Sequence, residues 1–421
     1  MAFQHALSGL NAASKNLDVI GHNIANASTT GFKSSRTEFA DLVASSMGSG
    51  GGDDYGIGVG AATVAQQFSQ GNITVSGNNL DVAINGNGFF KVQQPDGSAA
   101  YTRAGNFKLD KTGDLVTNGG AQVMGFKVDP ATGLSTSEPQ PLSFPTGSPI
   151  EAKQTLNMTA TLNLDARAKD AAGAPAATPP VPPTPRSTYG TSINVYDTQG
   201  VATPVSLYFV KTATANTWEV WDGLDNPTAV PPIVANNLGN LVFDGNGKYD
   251  AAASTVPMTV NVDPASSNPN NPPAPWPVTI DFNNCTQFGS KFAVADLSQD
   301  GYASGDLTSI NISNDGMVMA SYSNGVTRAE AQVALANFRN PQGLLAVGGN
   351  NWVESFDSGP AVMGKPGDGN FGALRSGALE DSNVDLTAEL VNMMTAQRAY
   401  QANAQTIKTQ DQVMSTLVNL R

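Results

Sequence analysis

A single cysteine, Cys285, in 421 residues excludes an internal disulfide framework and any paired-cysteine metal or redox motif. Histidine is almost as scarce. His5 and His22 stand apart from any serine or cysteine nucleophile with an acid partner, so histidine-based catalysis has little to work with. Charge is thin, 14% of residues against about 25% in an average globular chain, and 35 acidic against 22 basic residues leave a formal net charge of −13. Such a chain repels phosphate backbones, which argues against nucleic-acid binding. No run of roughly eighteen apolar residues occurs, so no segment reads as membrane-spanning. The opening MAFQHALSGLNAASKNLDVIG also lacks the basic leader and unbroken apolar stretch of a cleaved secretory signal. A soluble chain, or one exported without a cleaved signal, is expected.

Motifs that carry chemistry are missing as well. Asp244-Gly-Asn246-Gly-Lys248-Tyr-Asp250 begins like a calcium loop but puts Lys248 at a ligand position and lacks the terminal glutamate. Gly86-Asn-Gly88-Phe-Phe-Lys lacks the third glycine of a dinucleotide loop and reads as a turn. The acidic pairs Glu380-Asp381 and Asp53-Asp54 lie at a helix entrance and in a glycine loop, with no pocket to fix their separation. No catalytic, cofactor or metal site is expected, and the chain is not read as an enzyme.

Proline is absent from the first 94 and the last 55 residues, all 26 falling between Pro95 and Pro366, so both ends permit long helices. In the tail, Leu386, Leu390, Met393, Gln397, Tyr400, Ala404, Ile407, Asp411, Met414 and Val418 follow alternating steps of four and three. Ser382-Asn-Val-Asp385 ahead of them reads as a capping box that starts the helix near Asn383, giving a length of about 58 Å at 1.5 Å per residue. In the head, Phe3, Leu7, Leu10, Ser14, Leu17, Gly21 and Ile24 keep the same spacing. Each end could be an ordinary amphipathic surface helix. A seam this long instead favours a coiled coil in which the two ends pair.

The middle is β-rich. Leu80, Val82 and Ile84 alternate before Asn85-Gly86, and Phe90 and Val92 resume the alternation, which predicts a hairpin; Phe107 to Val116 around Lys111-Thr-Gly113 predicts another. SINVYD, VSLYFV, WEVWD, MTVNV and VTIDF suit a sandwich or barrel of their own, and the proline-rich 171–185 and 268–277 suit extended surface loops. Apolar strand positions reappear with Ile310, Ile312, Val318, Val333, Leu335 and Leu345. The reading is therefore a multidomain α+β chain: a terminal α-helical coiled coil plus two mainly-β domains in a nested out-and-back arrangement. Residues 1–28 with 380–421 form the helical domain, 29–70 with 361–379 an extended connector, 71–145 with 303–360 the first β domain, and 146–302 an inserted outer β domain. Acidity concentrates in the middle: 1–47 and 377–421 carry six basic and eight acidic residues, the remainder 16 and 27.

Several of these stretches resemble the bacterial flagellar rod, hook and hook-associated axial proteins. ALSGLNAASKNLDVIGHNIANASTTGFKSSRTEF at 6–39 is similar to that family's amino-terminal motif, with Asn23, Ile24, Ala25, Asn26, Gly31, Phe32 and Lys33 as its core. The tail from Ser376, with Gln-Arg-Ala-Tyr-Gln-Ala-Asn at 397–403, resembles the carboxy-terminal motif, and LDVAINGNGFFKV resembles the first shared β domain. The central segment carries no resemblance that can be anchored residue by residue. Rod members are shorter and lack a central insert, so length points to a hook-type member. The resemblance implies self-assembly into a curved, flexible, torque-transmitting tube in the extracellular flagellum. It implies as partners further copies of the chain, the distal rod protein, hook–filament junction proteins, a hook cap and the flagellar type III export apparatus. The assembly residues would be Phe3, Leu7, Leu10, Leu17, Ile24, Leu386, Leu390, Met393, Tyr400, Ile407, Met414 and Val418. Phe39 and Val43 fit a short export-gate pattern and equally a plain apolar pair in the connector. A distal rod or junction protein is the near alternative. A β-rich adhesin or glycan-binding module is the distant one, although Trp218, Trp221, Trp276 and Trp352 are scattered.

Overall fold

The computed structural model describes residues 2–43, 56–129, 135–144, 147, 149–169, 172–174, 181–184, 189–224, 235–270 and 272–419. The chain divides into two compact units, one comprising Met1–Gly147, Thr308–Ser321 and Thr327–Arg421, the other Ser148–Leu307 and Tyr322–Val326. The loose stretch around 47–55 and parts of the proline-rich segment lie outside the described residues.

The first unit contains both long helices, α1 (Ala2–Ala25) and α2 (Leu386–Asn419), which pack on each other. No helix among the described residues is long and apolar enough to cross a membrane. Within the extended connector expected after α1, the chain forms an antiparallel hairpin of β1 (Ser35–Val43) and β2 (Gly56–Gln66) that lies against α1. Outgoing chain pairs with returning chain: Ile73–Val75 with Ala378–Glu380, and Val82–Asn85 with Ala373–Ser376, both antiparallel. Asn85-Gly86 is consequently not a hairpin turn. The strand before it pairs almost 300 positions away, whereas the strand after it, Phe89–Gln93, pairs with Ala99–Thr102 and Gln122–Lys127. The second expected hairpin is present as Lys108–Leu109 against Leu115–Val116.

The main sheet of this unit runs Thr327–Val333, Gln122–Lys127, Phe89–Gln93, Ala99–Thr102, Asn351–Val353, Leu345–Gly348. An aromatic core of Phe89, Tyr101, Phe338 and Trp352, joined by Phe68, packs edge to face at centroid distances of 4.8 to 5.8 Å. The geometry suits the ring quadrupoles. Trp352 Nε1 donates to Gln66 Oε1 at 2.5 Å, tying the end of β2 to this core. Burial and the nearby Glu354 carboxylate push the Tyr101 phenol up to about 12.

The second unit holds two four-stranded sheets. Gly190–Tyr196, Ala202–Lys211, Thr217–Trp221 and Asn237–Val242 form one antiparallel sheet. Met258–Val262, Trp276–Asp281, Asn157–Asn163 and Ala293–Gln299 form the other. Inward residues of both sheets, among them Leu162, Val195, Phe209, Trp218, Val260 and Ile280, share one core, so the unit is a sandwich. Cys285 belongs to that core; its Sγ donates to Ala160 O at 3.1 Å, and burial pushes the thiol up to about 12. The Asp244 carboxylate accepts the N–H groups of Asn246 and Lys248, the bonds of an ordinary turn. In the proline-rich segment, where an extended surface loop is expected, Ala172–Ala174 pairs with Val181–Thr184 as a short antiparallel ribbon.

Candidate self-assembly surface

α2 begins three residues later than the capping box suggests. Asp385 Oδ1 accepts the N–H groups of Thr387 and Ala388 at 2.9 and 3.2 Å and so caps the helix, while Ser382 Oγ accepts from Val384. Asn383 serves as a cross-link instead. Its Oδ1 accepts from Ser34 N at 2.7 Å and its Nδ2 donates to Gln67 O at 2.7 Å.

The two helices run antiparallel. Gly9 faces Asn403 so closely that a Cβ would come within 2.8 Å of its Nδ2, and Asn23 Nδ2 donates to Glu389 Oε1 at 3.2 Å. These contacts lie fourteen residues apart on each helix (9 to 23, 389 to 403), so the helices keep register between them. Ala6, Ala13 and Ile20, in heptad phase with the contact residues, are buried, as is Ala396. Apart from Ile20 the apolar positions of this stripe are alanine or glycine, and small residues let helices approach closely.

The expected seam lies one position round from this inner stripe. Phe3 and Leu7 on α1 and Leu386, Leu390, Tyr400 and Met414 on α2 are exposed, at 38 to 60% of full accessibility. Leu10, Leu17, Ile24, Met393 and Ile407 are half-buried. The side chain of Val418 lies outside the described residues. Val391, Met394 and Val413 are also exposed, so α2 presents apolar side chains along most of its length. Phe39 is exposed on β1, and Val43 ends that strand.

The amino-terminal motif forms a knot beneath this surface. Asn23 Nδ2 donates to Ser35 O at 2.7 Å and its Oδ1 accepts from Ser35 N at 2.9 Å, so one amide mimics a strand pair between α1 and β1. Ile24 is half-buried and Ala25 is exposed at the end of α1. Asn26 Nδ2 donates to His22 O at 2.9 Å and closes the last turn of α1. Gly31 has φ +71°, and a Cβ there would sit 2.6 Å from Ala104 N, which explains glycine at this turn. Phe32 is buried with its ring 5.5 Å from that of His22.

Lys33 is the centre of a group that sequence reading did not assemble. Its Nζ reaches Glu380 Oε1 at 2.5 Å and donates to Ser69 O at 2.8 Å. Glu380 Oε1 also accepts from Gly71 N at 2.9 Å, and Oε2 accepts from Arg103 Nη1 at 3.2 Å. Arg103 Nη2 donates to Gly86 O, and its guanidinium lies 5.3 Å from the centroid of the Phe89 ring. The Lys33 and Glu380 side chains are inaccessible and Arg103 nearly so. Burial lowers both cations below their ordinary values despite the Glu380 charge. Three distant segments are therefore pinned by one carboxylate. Only the lysine in the amino-terminal motif hinted at it.

Known proteins agree along the whole chain. The chain is 42% identical to the flagellar hook protein FlgE of Salmonella typhimurium over 438 residues, covering all of both chains, and 42% identical to that of Escherichia coli with equal coverage. The chain belongs to the flagellar hook protein family. The hook protein of Treponema pallidum is 32% identical over 99% of this chain and 98% of its own. Residues 3–33 match the family described as Flagella basal body rod protein, 83–161 the Flagellar hook protein FlgE/F/G D1 domain, 163–302 the Flagellar basal body protein FlaE D2 domain, and 375–420 the Flagellar basal body rod FlgEFG protein C-terminal. In fold, the crystal structure of Helicobacter pylori flagellar hook protein FlgE2 aligns with a TM-score of 0.53 at 17% identity, over 73% of this hook-family chain and 100% of its own.

Proposed function

We propose that this chain is the structural subunit of a flagellar hook and that its paired terminal helices make the main contacts of the polymer. The observation carrying this is the outward stripe of Phe3, Leu7, Leu386, Leu390, Tyr400 and Met414. Fully burying one large apolar side chain gains about 1.5–3 kcal/mol, so a stripe of this length in water calls for a cover. In a tube of identical subunits, the helices of neighbouring copies supply it. Continuous apolar contacts near the tube wall resist torsion. The outer β units, poor in charge, meet through contacts that slide as the tube bends while it joins rod to filament. The distal rod protein, the hook–filament junction proteins and the hook cap are the partners at either end. Delivery runs through the flagellar type III export apparatus, for which Phe39 and Val43 are candidate contacts.

The test replaces exposed residues only. Leu390→Asp with Met414→Asp leaves the melting temperature of the unassembled chain nearly unchanged, since both side chains are more than half exposed, and abolishes tube formation seen by electron microscopy. Removing Leu386–Arg421 also abolishes tubes and leaves the β units folded. Normal tubes from either variant refute the assignment.

A further inference from the structure

Two features of the first unit complement each other in shape and charge. The first is Phe356, whose ring is fully exposed. It sits on a turn that is held rigidly: Ser355 Oγ donates to Gly343 O at 2.6 Å and accepts from Asp357 N at 3.1 Å and Ser358 N at 3.3 Å. Ser358 Oγ accepts from Ser355 N at 2.9 Å, and Asn340 Nδ2 donates to Asp357 O at 3.1 Å. An exposed phenyl on a loose loop can fold back onto the surface, but here the turn holds the ring out. Beside it, Asp357 is exposed, and its carboxylate has no ion-pair partner among the described residues.

The second feature is a groove of about 880 Å³ beside the strand Val362–Gly364, lined by Phe126, Phe338, Met363 and Phe371. Among the described residues that strand pairs on one side only, with Leu335–Asn337. Arg339 and Lys365 also line the groove and have no carboxylate partner among the described residues; Asp368 lines it too, leaving the lining one positive charge in excess. A cavity of about 150 Å³ already accommodates benzene, so the groove has room for a phenyl ring with its flanking backbone. Because Phe356 is wholly in solvent, it does not fill the groove of its own chain.

The geometry points to a contact between copies: Phe356 of one chain seats in the apolar groove of a second, with Asp357 facing Arg339 and Lys365. The occupant is a second copy because the acidic, aromatic-tipped turn and the cationic, aromatic-lined groove are both carried by this chain. Two different patches meet, so the contact is heterologous and propagates into an open polymer unless the rotation closes. This rests on reading the chain as a polymer subunit, and it gives that polymer a specific contact on the β domain in addition to the helices.

The test uses the full chain. Phe356→Ala keeps the melting temperature and raises the concentration needed for tube formation about tenfold or more, the loss expected from one buried phenyl. Asp357→Lys has a similar effect, reversed by adding Arg339→Asp and Lys365→Glu. Mixing Phe356→Cys chains with Met363→Cys chains under oxidised glutathione gives a mixed disulfide dimer that dominates over either homodimer. Assembly of Phe356→Ala at the concentration of the unaltered chain, a fall in its melting temperature, or no excess of mixed dimer overturns the contact while leaving the hook reading intact. Failure of the unaltered chain to form tubes overturns the hook reading, and the mixed-disulfide experiment still decides the contact.

Discussion

Replacing Glu380 by alanine strands two cations. Lys33 and Arg103 are both out of water, one at 2.5 Å and the other at 3.2 Å from the carboxylate, and neither has a second acidic partner among the described residues. Removing one member of a buried ion pair costs about 3–5 kcal/mol, and the N–H of Gly71 loses its acceptor as well, worth about 1–3 kcal/mol if it stays buried. A loss of about 5 kcal/mol from the first unit is therefore expected. That is about a third or more of the stability of an ordinary domain, which lies at about 5–15 kcal/mol. Calorimetry of the full chain reads the two units separately: the transition of the first unit falls or disappears, and that of the Ser148–Leu307 sandwich does not move. Glu380→Gln, which keeps the shape and one acceptor, loses less. Replacing all three side chains at once with Met, Met and Leu recovers much of the loss, because no charge is left buried. A change in the first transition below about 1 kcal/mol for Glu380→Ala shows that the cations find water, and refutes the argument.

Gly31→Ala forces a side chain into positive φ and against the Ala104 backbone, so urea titration should show a loss of about 2 kcal/mol or more from the first unit. Burial alone would raise the Asp300 carboxyl, but the N–H groups of Asn157 and Leu156 and the Lys153 ammonium carry it below its ordinary 3.8. Its contribution is present above that value and is lost as pH falls through the lower folded value; the stability gap between the unaltered chain and Asp300→Asn should close between about pH 5 and pH 2. The Cys285 thiol, buried and pushed up to about 12, should resist a thiol reagent at neutral pH until urea unfolds the sandwich; rapid labelling of native protein would contradict its placement.

Local signals were legible and distant pairings were not. Proline-free ends and a three-four apolar spacing gave α1 and α2, and Lys111-Thr-Gly113 gave its hairpin, because each of those structures is decided within a few residues. Asn85-Gly86 carried an equally good turn signal and failed, since Val82–Asn85 finds its partner in Ala373–Ser376 and tertiary pairing overrode the local preference. The helix stripe shows a subtler limit. Large apolar residues mark where a helix sheds water, yet inside this chain the helices meet where Gly9 faces Asn403 and Asn23 faces Glu389, and the buried positions in phase with them are mostly alanine (Ala6, Ala13, Ala396) with Ile20, a pattern that bulky seams do not mark. Beyond the motif lysine itself, nothing pointed to the Lys33–Glu380–Arg103 cluster: Glu380 lies 347 positions from Lys33 and 277 from Arg103, and no periodicity links them.

That separation imposes an order on folding. A chain delivered amino end first presents Lys33 and Arg103 hundreds of residues before the carboxylate that neutralises them, and the early strands at 73–75 and 82–85 likewise wait for mates at 373–380. Until then the first unit has nothing to close upon, and its contacts are among the slowest kind to form. The inserted sandwich, whose strands all lie between 157 and 299, is free to fold earlier. The late position of Glu380 thus delays closure of the first unit until nearly the whole chain is present.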